Sequence, residues 1–320
     1  MALPPAVATV RNAVRETLSD LPPGTLVLAA CSGGADSLAL AAALAFVAPR
    51  LGLRAGGVTV DHGLQEESAR TAATAAGAMA SFGMDPVLSR AVAVTGGGGP
   101  EAAARAARYQ ALQGAATETG AKAILLGHTL DDQAETVLLG LARGSGARSL
   151  AGMPPRRGVF RRPLLGVRRA VTRDACAALG LDPWQDPHNA DRRHARVRVR
   201  LDALPALEAA LGPGVAEALA RTATQLRADA EILDNLAAER ISADSPLAAD
   251  SLRELPDAVR SRVLRSAAIA AGCPPGALTA GHVARVAELV TDFRGQRWID
   301  LPGGVRASRR DGQVMFVGTT

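Results

Sequence analysis

An α/β fold, a doubly wound parallel sheet followed by a second, mainly helical C-terminal domain, is what this 320-residue sequence predicts. Three observations carry that expectation. Short apolar runs alternate with longer alanine-rich stretches through the first half, as strands buried on both faces alternate with covering helices. The residues able to do chemistry sit just after those short runs, where ligands gather in open α/β sheets. Near Pro205 the composition shifts and nearly everything that follows reads as helix, so the expected domains are residues 1–205 and residues 206–320.

Taken in order, residues 7–18 read as a helix, closed by the Pro22-Pro23-Gly24 turn. Residues 26–30 are an apolar run short enough for a strand buried on both faces, and residues 38–47 are too long and too rich in alanine for a strand and read as a helix. Residues 56–60 read as a second strand ending in Asp61-His62-Gly63-Leu64, and a helix from about Glu66 to Phe82 returns across the sheet. A strand over 86–94, an exposed flexible glycine loop over 96–99 and a helix over 101–119 follow. Residues 123–126 are strand, ending at Gly127-His128, and 131–142 are helix. A connection rich in Gly, Pro and Arg begins at Arg143 and leads to a helix over 171–179 and a turn-rich segment, DPWQDPHNADRR. Helices are expected over 208–240 (broken at Gly212-Pro213-Gly214), 252–271 and 279–290. The tail breaks into short β pieces over 297–300, 305–308 and 314–317, with turns at Gly303-Gly304 and Asp311-Gly312.

Composition bounds the function. Hydrophobic residues at 48% and charged residues at 21% describe a globular chain, and no run is long and apolar enough to span a bilayer, Asp36 interrupting the best candidate. The amino terminus has no basic leader before its apolar residues, so a secretory signal is not expected. Cys31, Cys176 and Cys273 are odd in number and far apart, giving neither a disulfide framework nor a CxxC pair, which fits a reducing cytoplasm. Formal charge is +5, and Lys122 is the sole lysine. From Arg143 to Arg200, 14 arginines face four acids, a local net of +10 that leaves −5 for the remainder. One basic block on an otherwise mildly acidic protein is the footprint of a polyanion-binding surface.

The stretch around which the chain is organised is Ser32-Gly33-Gly34-Ala35-Asp36-Ser37, set between a strand and a helix. Two glycines let successive N–H groups converge on one anion with no side chain in the way. The helix that follows adds its unpaired N–H groups and positive dipole end. Ser32 and Ser37 can donate hydroxyls, whereas Asp36 is wrongly charged for a phosphate and suits Mg²⁺ held against it. The plain alternative is a capped helix start after a flexible turn. Neither GxxxxGK[ST] nor a full GxGxxG is present. A second stretch runs from Gly127 to Met153, in which Asp131, Asp132, Glu135 and Thr136 share one helix face beyond His128. Favourable dipole placement alone accounts for acids at such a helix start, but not for the histidine.

SGGADS resembles the SGGxDS motif of the PP-loop ATP pyrophosphatases, which cleave ATP between the α- and β-phosphates and pass AMP to an acceptor. GHTLDDQAET resembles the GHxxDDxAET segment of one branch, the tRNA(Ile)-lysidine synthetases. VDHGL, EAAARAARY, RRPLLGV and WQDPHNADRRHARVRVR are similar to further motifs of that branch, the match covering roughly residues 1–205 and the tail only through LPGG. Val197 and His188 depart from it, standing where asparagine and serine are expected. The resemblance implies ATP and Mg²⁺ as cofactors, with Ser32 to Ser37, Asp61 and His62 at the nucleotide and Asp36 and Asp132 on the metal. It implies catalytic roles for Asp36, Asp131, Asp132 and His128. Contacts with tRNA or acceptor fall to Arg105, Arg108, Glu135, Arg143, Asp186, Asn189, Arg193, Arg196 and Arg200. The implied partners are a tRNA-Ile with a CAU anticodon and free L-lysine, with no membrane, and a homodimer is compatible with the sequence. The reaction implied adenylates carbon 2 of the wobble cytidine through its oxygen, and lysine then displaces AMP. Rival readings are a PP-loop tRNA thiolase, which generally needs reactive or cluster-binding cysteines, and a non-catalytic adenine-nucleotide-binding protein on the same fold.

Overall fold

Five parallel strands and one antiparallel edge strand make the first sheet of the computed structural model, in the order β3-β2-β1-β4-β6-β5. The structure describes residues 3–61, 63, 68–92, 100–144, 146–241 and 247–318, the side chains of 100–102 and 188 excepted. His62, Leu64, Glu66 and the glycine loop at 96–99 lie outside the described residues, as does the side chain of Glu101.

In chain order the elements are α1 (Pro5–Leu18), β1 (Leu26–Ala30), α2 (Ala35–Val47), β2 (Arg54–Asp61), α3 (Ser68–Ser81), β3 (Val87–Ala91), α4 (Pro100–Thr119), β4 (Ala123–Leu125) and α5 (Leu130–Ala142). There follow α6 (Ala147–Leu150), β5 (Arg156–Arg157), β6 (Phe160–Arg161), α7 (Arg169–Ala178), α8 (Ala195–Arg198), α9 (Leu204–Leu211) and α10 (Val215–Arg240). Last come β7 (Leu247–Ala248), α11 (Ala249–Glu254), α12 (Asp257–Ala270), α13 (Ala280–Thr291), β8 (Ile299–Leu301), β9 (Val305–Arg310) and β10 (Gln313–Gly318).

β1 is apolar throughout because both its faces are covered. Val27 and Ala29 pack into a cluster with α1, α2 and α7, while Leu26 and Leu28 pack with Leu112, Ala115 and Ala116 of α4. β1 pairs in parallel with β2 on one side and β4 on the other, Leu28 standing opposite both Gly56 and Ile124. The chain steps outward from β1 to β2 to β3 and then returns to β4 on the opposite flank. That reversal falls between β1 and β4, and the space beyond the carboxyl ends of strands at such a point is the usual ligand position in these sheets.

The chain forms two compact units, residues 1–145 with 152–223 and residues 146–151 with 224–320. This division lies beyond the compositional shift at Pro205 because Leu204 and Ala216 pack with Leu130 and Ala134, tying α9 and the start of α10 to α5. The second unit carries an antiparallel sheet, β7-β10-β9-β8, over a core that includes Val263, Leu264, Val286, Leu289 and Ala307. Two expectations are corrected here. Residues 252–271 are two helices, because Pro256 holds Leu255 in an extended conformation (φ −72°, ψ 142°) that cannot continue a helix. Part of the basic connection, expected as loop, joins the first sheet as β5 and β6.

Candidate active site

The turn between β1 and α2 has its shape for local reasons. Gly33 adopts φ +85°, which an L side chain rarely tolerates, and Gly34 caps α2 in an extended conformation. The Ser37 hydroxyl donates to the Gly34 carbonyl at 2.9 Å and accepts from the Ser32 N–H at 3.1 Å, closing the turn on itself. The Trp184 N–H donates to the Gly33 carbonyl at 3.0 Å, fastening the turn-rich segment to the loop. The N–H groups of Gly34, Ala35 and Asp36 meet no acceptor among the described residues. Three free donors at the positive end of α2 make an anion cradle. At Gly127, just past β4, a Cβ would lie 3.2 Å from the Asp36 carbonyl and the Ser37 nitrogen, a tight approach that glycine avoids.

α5 begins with a capping box. Thr129 accepts from the Asp132 N–H at 3.4 Å, and Asp132 Oδ2 accepts from the Thr129 N–H at 2.8 Å and its hydroxyl at 3.0 Å. The other oxygen of Asp132 faces three guanidiniums, from Arg169 at 2.8 Å, Arg196 at 3.2 Å and Arg200 at 3.5 Å. One turn on, Glu135 is completely buried. Its Oε1 accepts from Arg200 Nε at 2.7 Å and Arg169 at 3.2 Å, and its Oε2 from Arg196 Nε at 2.7 Å and Arg200 Nη2 at 3.2 Å. Asp131 accepts the Arg169 N–H at 2.7 Å and lies 3.3 Å from Arg168. A buried carboxylate is stable only when so paired.

Arg169, at the first turn of α7, ties the two stretches together. Besides Asp132 and Glu135 it reaches Asp36, its Nε 3.6 Å from Oδ2, while Thr172 one turn later donates its hydroxyl to the other Asp36 oxygen. Burial lowers the pKa of Arg169, but Asp132, Glu135 and Asp36 outweigh it and the net shift is upward. Burial pushes the Asp36 carboxyl above its usual range despite Thr172 and Arg169. Asp132 moves the other way. Burial opposes its charge, yet Arg169 and Arg196 hold its pKa below the ordinary value.

These environments sort the residues expected to hold a cation. Asp36 fits: its side chain is 25% exposed beside the free N–H groups, and its burial leaves negative charge incompletely balanced. Asp132 does not fit, since one oxygen is taken by Thr129 and the other faces three positive charges. Among the described residues no group of three or more His, Cys, Asp and Glu side chains is arranged to hold a metal by itself, so phosphate oxygens would have to complete the shell around Asp36.

His128 follows β4, near Asp132, Arg162, Arg108 and Arg105. Its Nδ1 is buried without a partner, and burial, with Arg162, Arg108 and Arg105 nearby, outweighs Asp132 and pushes its pKa down to about 3. It is a neutral imidazole at physiological pH. Asp61 ends β2 and accepts the Gly63 N–H at 2.9 Å. Asn189 accepts from Arg200 at 3.3 Å, and Asp186 accepts the Asn189 N–H at its carbonyl at 3.0 Å. Two basic residues expected along the RNA path, Arg196 and Arg200, instead spend their guanidiniums on Glu135 and Asp132. Glu135, expected at the acceptor, is fully buried against these arginines. Arg143 is exposed at the end of α5, and Arg193 pairs with Asp191 on the surface at 2.7 Å. Sequence reasoning missed Arg169 and Thr172; their i, i+3 spacing at a helix start was the available signal. It also gave no role to Arg162, which donates to the Tyr109 hydroxyl at 3.2 Å.

Comparison with known proteins follows the same division of the chain. Residues 7–207 match the model of the PP-loop domain and residues 247–315 that of the TilS substrate binding domain. A tRNA(Ile)-lysidine synthase from Thermobifida fusca is 60% identical over 316 residues, covering 98% of both chains. One from Streptomyces coelicolor is 52% identical over 345 residues with the same coverage, and one from Mycobacterium tuberculosis 50% over 297 residues, 89% of this chain and 88% of that one. Among solved structures, the U34-tRNA thiolase NcsA from Methanococcus maripaludis superposes with a TM-score of 0.59 at 20% identity, over 69% of this chain and 79% of that one, a likeness of fold.

Proposed function

The chain belongs to the tRNA(Ile)-lysidine synthase family of PP-loop proteins, and from that premise we propose that it ligates L-lysine to carbon 2 of the wobble cytidine in a tRNA-Ile with a CAU anticodon. The observation that carries the reading is the meeting, through Arg169, of the glycine turn's carboxylate Asp36 with the acidic face of α5. Phosphate chemistry and acceptor chemistry then share one crevice.

In the first step the cytidine oxygen attacks the α-phosphorus of ATP, the bond to the bridging oxygen breaks, and pyrophosphate leaves. The N–H groups of Gly34, Ala35 and Asp36 bind phosphate oxygens at the helix end, where donors aimed at developing charge lower the barrier. Asp36 would hold Mg²⁺, which when bound supplies positive charge against the phosphates. In the second step the lysine amine attacks carbon 2 and AMP departs with the oxygen. The amine must first lose its proton. Asp132, with its pKa held down by Arg169 and Arg196, is a weak base and an orienting group. Asp131, whose side chain is 16% exposed, is the better placed of the two to take that proton. Neutral His128 offers a hydrogen bond to the bound base without adding charge.

The thiolase reading is less favoured by the thiols themselves. Cys31, Cys176 and Cys273 are all buried, and burial raises the pKa of Cys31 and pushes Cys176 up to about 11, so neither offers a thiolate. The basic block and the second unit are the proposed tRNA grip, and the cytoplasm the proposed location. No helix among the described residues is long and apolar enough to cross a membrane. The test is product analysis with ATP, Mg²⁺, lysine and CAU tRNA. Pyrophosphate release that needs that tRNA, with AMP release that needs lysine as well, supports the proposal. ADP, or AMP that needs a sulfur donor instead of lysine, overturns it.

A further inference from the structure

α7 lies against the glycine turn, and three of its residues at positions i, i+3 and i+7 meet neighbouring parts of it. Arg169 faces the Asp36 carboxylate, Thr172 donates its hydroxyl to that carboxylate, and the Cys176 thiol donates to the Ala35 carbonyl at 3.3 Å. Such spacing puts all three side chains on one face of a helix. The helix is a firm support, since Ala175 and Cys176 are buried in the same cluster as Leu38 and Ala39 of α2.

Arg169 and Thr172 treat Asp36 differently. The Arg169 guanidinium comes within 2.8 Å of Asp132 and 3.2 Å of Glu135, but stays 3.6 Å from Asp36, too far for a hydrogen bond. Among the described residues Thr172 is the sole hydrogen-bond donor to the Asp36 carboxylate. Thr172 is fully buried, and its hydroxyl also lies 2.8 Å from the Arg169 carbonyl, the back-bond that settles the rotamer of a helical threonine. Of the two acceptors the charged one, Asp36, draws the single proton more strongly.

The charges show what such a grip is for. A carboxylate free to turn beside a guanidinium pairs with it, and once paired it has little charge left for a cation, as at Asp132. Thr172 holds Oδ1 of Asp36, whereas Oδ2 is the oxygen nearer Arg169, so the hydroxyl keeps the group short of that pairing.

We propose that Thr172 is a positioning residue for the metal, pinning Asp36 away from Arg169 so that the carboxylate's charge stays available to Mg²⁺. It rests on the reading of Asp36 as the residue that holds Mg²⁺, and it gives Thr172 no contact with nucleotide or RNA.

The experiment uses the full chain with α,β-methylene-ATP, in which the bond to be broken is replaced, so that no turnover enters. Calorimetry gives the affinity for this nucleotide with and without Mg²⁺, for the wild type, Thr172→Val, Thr172→Ser and Asp36→Asn, and the ratio of the two affinities is the gain due to the metal. Valine keeps the shape of threonine and loses the hydroxyl, while serine keeps the hydroxyl and loses a buried methyl. The gain falls about tenfold in Thr172→Val, as for the loss of one hydrogen bond to a charged group, and the metal-free affinity stays within about twofold of wild type. Thr172→Ser keeps the gain within about twofold of wild type, although the cavity it leaves lowers its melting temperature. A gain lost equally in Thr172→Ser and Thr172→Val assigns the position to packing and overturns the role of the hydroxyl. An unchanged gain in Thr172→Val, with the gain lost in Asp36→Asn, overturns the part given to Thr172 and leaves Asp36 on the metal. A gain that survives Asp36→Asn overturns the metal reading and this inference with it.

Discussion

Replacing Glu135 with glutamine removes one negative charge from a buried group in which Asp36, Asp132 and Glu135 balance Arg169, Arg196 and Arg200. The glutamine has the same shape, so the perturbation is electrostatic. Five hydrogen bonds of 2.7 to 3.2 Å converge on the two Glu135 oxygens from three guanidiniums, and Glu135 is wholly buried. An amide carries one acceptor and turns an N–H₂ toward a guanidinium, leaving about one uncompensated positive charge out of water. Breaking a buried pair from one side costs roughly 3–5 kcal/mol. At about 2–4 °C per kcal/mol for a unit of this size, the melting temperature falls by about 10 °C. Because the pair is shielded from solvent, the loss is nearly the same at low and high salt. Differential scanning calorimetry at two ionic strengths, with AMP release in parallel, is the assay. Arg196 and Arg200 lose their anchor, so turnover also falls, by at least tenfold. A melting temperature within 2 °C of wild type, or a loss that disappears in high salt, refutes the assignment of these arginines to a buried network.

Three further outcomes are expected. Gly127→Ala presses a methyl group onto the backbone at Asp36 and Ser37, 3.2 Å away, so steady-state kinetics should show the KM for ATP raised about tenfold while lysine KM changes little. Asp36→Asn lowers the rate of pyrophosphate release by about 10²–10³ without unfolding the protein, as followed by a coupled pyrophosphatase assay. For His128 the folded pKa lies near 3 against an ordinary 6.5, so between those values the unfolded chain binds more protons. Its contribution to stability is complete above about pH 6.5 and is lost as the pH falls, at up to about 1.4 kcal/mol per pH unit. Asp36, with its raised pKa, opposes that trend, so the check is a comparison of urea unfolding between wild type and His128→Asn from about pH 6 to 4.

The alternation of strands and helices was legible because a strand buried on both faces has a composition of its own, as in residues 26–30. The glycine turn and the capping box at Thr129 were legible because both are short-range, set by neighbours within four residues. β5 and β6 were not, since two-residue strands carry no periodicity and exist only where a sheet edge is waiting for them. The break at Leu255-Pro256 was readable in principle from Pro256 and was overridden by the apolar pattern around it.

The amino-acid sequence by itself determined what chemistry is on hand, a phosphate-binding turn, an acidic helix start and an arginine-rich stretch, because each is a matter of residue type at local spacing. Which arginines are neutralised within the protein was decided only by tertiary structure. Arg196 and Arg200 lie more than sixty positions from Glu135 and pair with it, while Arg105 and Arg162, equally basic, form no ion pair among the described residues and bond to the Tyr109 hydroxyl. Charge compensation depends on distance through space, falling off over a few ångströms, and spacing along a chain does not encode it.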